Sequence, residues 1–339
     1  MDLKPVISAF IGETEFTCSK LSGGHINQTY LISTPSEKLV LQRLNTGIFQ
    51  KPDAVVHNHL TVNRLLQESA YAGRTVRLIP VRDGNYLYRD EQQGCWRLTA
   101  FLEDSVSFVK VPNVHTAFEA AKCFSAFYAC LNSQKADVQE VLPGFINFKK
   151  RISDFKIAVQ QTSFERLQKA AAEITFAEGL LRLPDEWIYL QEENMLPTRI
   201  IHADPKISNI LFDKENRPLA VIDLDTVMNA TLLYDFGDMV RSYCNTADED
   251  DGAATNNFSP EIYQAVKEGF LFHLNPLLSD IEIDNLDYAA QVVIYIQALR
   301  FLTDYLNGDM YYSTDYAQHN LDRARNQFSL IKNLMKHAS

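Results

Sequence analysis

Residues 201–225 read IHADPKISNILFDKENRPLAVIDLD, and this stretch decides how the rest of the chain is read. Asp204, Asn209 and Asp223 stand out because apolar, strand-like segments hold them. Asp204 lies five positions before Asn209, and a strand at 219–222 pairs back toward Asn209 before ending at Asp223. An Asp-x-x-x-x-Asn pair alone is common and carries little. The full pattern, His-x-Asp-x-x-x-x-Asn-Ile-Leu-Phe-Asp followed by Val-Ile-Asp-x-Asp, is far more specific.

Upstream of this island the hydrophobic period is close to two. Strands are predicted at 15–20, 26–33, 38–44, 75–80, 86–89 and 95–102, with turns at Gly23-Gly24, Asp83-Gly84 and Gln93-Gly94. A helix fits 53–69, with Val55, Val56, Leu60, Val62, Leu65 and Leu66 along one side. From about Val114 the period moves toward 3.6. Ala117, Ala121, Phe124 and Leu131 form one helical stripe, and Leu167, Ala171, Ile174 and Leu181 form another. A helix at 284–306 carries Ala289, Val292, Val293, Ile296, Leu299 and Leu302. The polar segment 246–257 is expected to be a mobile surface loop. Strands first, then helices around a small β island, predict an α+β chain of two lobes: a β-rich lobe over 1–103 and a mainly helical lobe over 104–339.

Composition narrows the functional classes. At 339 residues, with 46% hydrophobic and 22% charged residues, the chain has the balance of a globular protein large enough for two lobes. Lys and Arg total 32 against 43 Asp and Glu, a net charge of −11, which argues against nucleic acid and anionic membrane as partners. The start has no secretion-type signal, and the longest apolar candidate, at 288–302, is broken by Gln291, Gln297 and Arg300. Five scattered cysteines without a Cys-x-x-Cys fit thiols in a reducing cytoplasm.

Phosphoryl transfer needs a carboxylate to orient the attacking hydroxyl, oxygen ligands to fix Mg²⁺, and charge compensation at the phosphate oxygens. Kinases open this set with an Asp five residues before an Asn and complete it with a second Asp after the next hairpin. Asp204, Asn209 and Asp223 have that arrangement, and Asn and Asp supply the hard oxygen donors that Mg²⁺ prefers. His202 is read as a brace for the loop and Asp225 as an orienting group behind the metal ligands. Asp235-Phe236-Gly237 spells a kinase metal-binding tripeptide but sits far downstream of Asn209. Asp235 is instead read as a buried carboxylate accepting backbone N–H groups of the catalytic loop. Lys206 either reaches the transferred phosphate or turns to solvent.

The island resembles the motif of the aminoglycoside phosphotransferase and choline kinase superfamily, which has a protein-kinase-like fold. Three further segments resemble the N-acetylhexosamine 1-kinase branch: Gly23-Gly24-His25-Ile26-Asn27-x-Thr29-Tyr30, Val40-Leu41-Gln42-Arg43-Leu44-Asn45, and the run from Arg300 through Asp304 and Asp309 to Tyr311. The similarity covers roughly residues 20–312. It implies Asp204 as catalytic base, Asn209 and Asp223 as Mg²⁺ ligands, and ATP as co-substrate. It also implies that His25, Arg300 and Tyr311 line a pocket for a sugar, GlcNAc or GalNAc, phosphorylated at C1 for salvage. Gly23, Gly24, Gln42, Arg43, Phe101, Leu102 and Glu103 are assigned to the nucleotide.

The chain departs from the family pattern in places. Pro205 follows the catalytic Asp where a polar residue is usual, and it has no N–H to donate. Gln42-Arg43 occupies the strand where protein kinases keep a phosphate-binding Lys. Alternation lets only one of the two face the nucleotide, and charge favours Arg43. Asn58 is a candidate partner for that residue. Two other readings stay open: a kinase of choline, an aminoglycoside, homoserine or another small alcohol, and a silent nucleotide-binding pseudokinase.

Overall fold

The computed structural model describes residues 2–21 and 26–338, so Gly23, Gly24 and His25 lie outside the described residues. In chain order it begins with α1 (Lys4–Ile11), β1 (Thr17–Lys20), β2 (Gln28–Ser33) and β3 (Lys38–Leu44). There follow α2 (Pro52–Glu68), β4 (Leu78–Ile79), β5 (Tyr88–Arg89) and β6 (Cys95–Ala100). Five helices come next: α3 (Val114–Leu131), α4 (Phe148–Gln161), α5 (Phe164–Lys169), α6 (Ala171–Gly179) and α7 (Asp185–Glu192). The island holds β7 (Arg199–Ile201), β8 (Ile210–Phe212), β9 (Pro218–Val221) and β10 (Met228–Ala230). The chain ends with α8 (Leu232–Tyr243), α9 (Pro260–Leu274), α10 (Asp280–Asp284), α11 (Leu286–Leu306) and α12 (His319–Ala338). Helix and sheet are mixed as an α+β chain requires.

Contacts divide the chain into two compact units, each discontinuous in sequence where a single boundary after Glu103 was expected. The first is Met1–Ser107 with Ala126–Pro143 and Asn209–Asn229; the second is Phe108–Ser125 with Gly144–Ser208 and Ala230–Ser339.

In the first unit the sheet runs β1-β2-β3-β6-β4, with β5 also pairing β6, and every one of these pairs is antiparallel. Alternation along β3 sends Leu39 and Leu41 to a face shared with Trp96 and Leu98 of β6. Helix α1, absent from the sequence expectation, covers that face with Val6, Ile7 and Phe10, each contributing about 1.5–3 kcal/mol of apolar burial. Pro5 in its first turn suits a helix start.

Helix α2 carries a second buried layer. His59 is 4% exposed, and its Nε2 lies 2.7 Å from the Val76 carbonyl. Burial first, and then the charge of Arg97, push its pKa down to about 4. The folded state therefore keeps this imidazole neutral while the unfolded chain protonates it. Its contribution is complete above about pH 6.5 and is lost as pH falls toward 4. Between about pH 7 and pH 5 the loss amounts to about 2 kcal/mol. Urea unfolding of the intact protein should show this slope, and His59→Gln should flatten it. Equal slopes in the two proteins would remove His59 as its source.

In the second unit α11 is buried on all sides rather than along one stripe, because α4, α8 and α12 surround it. Gly237 allows α8 to approach: a Cβ there would lie 2.6 Å from Val293 Cγ2 and 2.8 Å from the Ala289 carbonyl. The glycine of Asp235-Phe236-Gly237 is thus a packing residue. The stripe expected over Leu167–Leu181 is split at Ala170, where φ is −102° and ψ 11°. The loop expected to be mobile is tied down instead. Asn326 Nδ2 of α12 donates to the Asp248 carbonyl at 2.8 Å, Asn333 Nδ2 donates to that of Thr255 at 2.8 Å, and Lys110 pairs with Asp248 at 2.6 Å. All five cysteines are free thiols, and among the described residues no helix is long and apolar enough to cross a membrane.

Candidate active site

The second unit builds the loop that carries Asp204. Strand β7 delivers buried His202 and then Ala203, whose φ of 64° is left-handed and unfavourable for a residue with a Cβ. Asp235, fully buried at the start of α8, offsets that strain. Its Oδ2 accepts the His202 N–H at 2.7 Å and its Oδ1 the Ala203 N–H at 3.0 Å. The His202 ring stands edge-on to Phe124 at 5.4 Å. Asp204 emerges partly exposed with its Oδ2 2.7 Å from Lys206 Nζ. Buried Pro205 stiffens the step between them.

The first unit carries Asn209 and Asp223 on one hairpin. Ile210 pairs with Val221 and Leu211 with Ala220, and the Ile222 N–H donates to the Asn209 carbonyl at 2.9 Å, so the two residues leave the same end of β8–β9. Asn209 is 4% exposed, whereas Asp223 is exposed at a left-handed φ of 60° that Asp and Asn tolerate better than other side chains. Buried Asp225 follows, 2.5 Å from Arg97 Nη1 of β6. Asp225 Oδ2 also accepts from Asn27 Nδ2 at 2.7 Å.

This network separates Gln42 from Arg43. Gln42 Oε1 accepts from Arg97 Nε and Nη2 at 2.9 and 2.7 Å, on the face of Asp225. Arg43 points to the opposite face, 5.7 Å over Trp96. The expectation that Asn58 partners either of them is corrected. Its amide is satisfied by backbone, donating to the Gln139 and Val227 carbonyls at 2.9 and 3.0 Å and accepting the Gln139 N–H at 2.8 Å. Beyond β6, the Phe101 N–H donates to the Lys38 carbonyl and Glu103 pairs with Lys38 at 3.5 Å.

Arg300 and Tyr311 come together in the second unit, on a cavity of about 360 Å³ lined by α4, α11 and residues 307–312. Arg300 lies among the rings of Phe145, Tyr311 and Tyr312. At 58% exposure Tyr311 forms the rim. Two residues without a sequence-level role complete the wall. Buried Asp304 holds the turn, accepting the N–H groups of Met310, Tyr311 and Tyr312 at 3.0, 2.8 and 2.9 Å and Asn320 Nδ2 at 3.0 Å. Arg151 of α4 is the other. Asp304 lies inside the 300–311 run already singled out in the sequence, and Asn147, which caps α4, marks the helix that presents Arg151.

The phosphotransferase enzyme family matches the chain over residues 17–268, and the chain belongs to it. Solved structures share the fold at low identity. A microcompartment-associated aminopropanol kinase aligns at TM-score 0.70 and 14% identity, covering 99% of this chain and 98% of that one. An aminoglycoside phosphotransferase of Alicyclobacillus acidocaldarius gives 0.64 and 14% over 99% and 96% of the two chains. A choline kinase of Streptococcus pneumoniae gives 0.58 and 14% over 98% and 99%. The protein is thus a phosphotransferase with the fold of small-molecule kinases.

Proposed function

We propose that this phosphotransferase moves the γ-phosphate of ATP to the anomeric C1 hydroxyl of an N-acetylhexosamine, GlcNAc or GalNAc. The observation that carries this reading is the cavity at Arg300 and Tyr311. Guanidinium and phenol donors suit the hydroxyl and amide oxygens of a neutral sugar, and Arg151 and Arg300, which form no ion pair among the described residues, disfavour an ammonium acceptor. In this reading Asp204, fixed by Asp235 behind its loop and by Lys206 beside it, takes the proton of the attacking hydroxyl and orients that oxygen in line with the γ-phosphorus. Asn209 and Asp223, oxygen donors at one end of one hairpin, fit as holders of Mg²⁺. When bound, Mg²⁺ offsets negative charge on the phosphate oxygens. Gln42 and residues 101–103 stay assigned to the nucleotide, with Gly23, Gly24 and His25 at its flap and the sugar.

The solved relatives include kinases named for aminopropanol and choline, which favours another small alcohol as the second reading. An acceptor screen following ADP release separates the two. Turnover of GlcNAc or GalNAc is expected. Turnover of choline or kanamycin with neither sugar would defeat the proposal.

A further inference from the structure

The cavity wall holds two guanidinium groups that no carboxylate neutralises at contact distance. Arg300 Nη1 donates to Gln297 Oε1 at 2.9 Å, and Arg151 Nη2 donates to the Phe145 carbonyl at 3.2 Å. Arg151 Nε is buried and has no hydrogen-bond partner. Neither residue forms an ion pair among the described residues, and the acids nearby are committed elsewhere. Asp154 is paired with Lys150 at 2.7 Å, Asp304 serves four N–H donors, and Asp238, beside Arg300 and Tyr234, is paired with Arg241 at 2.6 Å. Burial and the facing Arg300 both hold the Arg151 pKa below its usual value. A buried donor without a partner is costly, and two like charges on one wall add to the cost. An acceptor oxygen beside the two guanidinium groups offsets the like charges; an ammonium group adds to them.

Resting on the reading that this cavity takes the acceptor, we propose that Arg151 is a specificity-determining residue. Its guanidinium binds an uncharged acyl oxygen of the acceptor, and the Arg151–Arg300 pair excludes acceptors bearing an ammonium at that position. An N-acylated amino sugar therefore enters, and the free amino sugar is rejected by its charge rather than by its shape.

The test compares kcat and KM for GlcNAc and glucosamine across pH in the wild type, Arg151→Gln and Arg151→Lys. The wild type is expected to favour GlcNAc by about 100-fold near neutral pH, and the preference should shrink as glucosamine loses its proton. Arg151→Gln should raise the KM for GlcNAc about tenfold with kcat little changed, and should cut the preference about tenfold. Arg151→Lys should keep the charge discrimination but not the low KM. Wild-type KM and preference in Arg151→Gln, or a wild-type preference flat with pH, would overturn the proposal. If Arg151→Gln does not fold, the lysine variant and the wild-type pH profile still decide. Efficient use of choline would overturn both this proposal and the hexosamine reading. Use of a different neutral alcohol would overturn the hexosamine reading alone, and the same comparison would then run on that alcohol and its amino analogue.

Discussion

Asp204→Asn should fold, bind MgATP and sugar with KM values within a few-fold of the wild type, and turn over about 10²–10⁴-fold more slowly. The expectation follows from what the substitution leaves alone. Asparagine has nearly the shape of aspartate, and the backbone of this loop is fixed from behind by Asp235. What it removes is the charge that Lys206 faces at 2.7 Å and, in the proposed mechanism, the basic oxygen that would take the hydroxyl proton. A kcat effect without a KM effect marks an interaction made only in the transition state. Turnover close to wild type would take Asp204 out of the mechanism.

Asp223→Asn should shift the Mg²⁺ concentration for half-maximal rate upward by more than about 100-fold and abolish the Mg²⁺-dependent thermal stabilisation that ATP gives the wild type. Asparagine is the informative replacement because residue 223 sits at φ 60°, a conformation Asn adopts as readily as Asp. Alanine there would add about 1 kcal/mol or more of backbone strain and confuse loss of the ligand with damage to the hairpin. A thermal-shift titration of ATP with and without Mg²⁺ reads the effect before any turnover is measured. Wild-type Mg²⁺ dependence in the variant would show that the ion is held elsewhere.

The parts of this molecule that were legible in the sequence are those specified by neighbours along the chain. Strand β3 falls at the expected 38–44 because its alternation is local, and α2 lies within one residue of its apolar stripe. The β8–β9 hairpin of the island was legible for the same reason, its two strands being neighbours along the chain. What was not legible depends on partners distant in sequence. Gln42 rather than Arg43 faces Asp225 because Arg97, 55 residues from Gln42, lies between them. Asn58 looked like a functional amide, yet its oxygen and nitrogen meet backbone 81 and 169 residues away. Asp304 and Arg151 carried no role in the sequence reading because only the 309–312 turn and the packing of α4 on α11 bring them onto one cavity. The polar loop at 246–257 misled for the same reason: the amides that anchor it belong to α12, about 78 residues on.

The most direct measurement is a phosphorus NMR spectrum of the protein incubated with MgATP and GlcNAc. The account predicts a new phosphomonoester resonance coupled to the anomeric proton, the signature of the sugar 1-phosphate, appearing together with ADP. A 6-phosphate, or inorganic phosphate and ADP with no sugar ester, would contradict it.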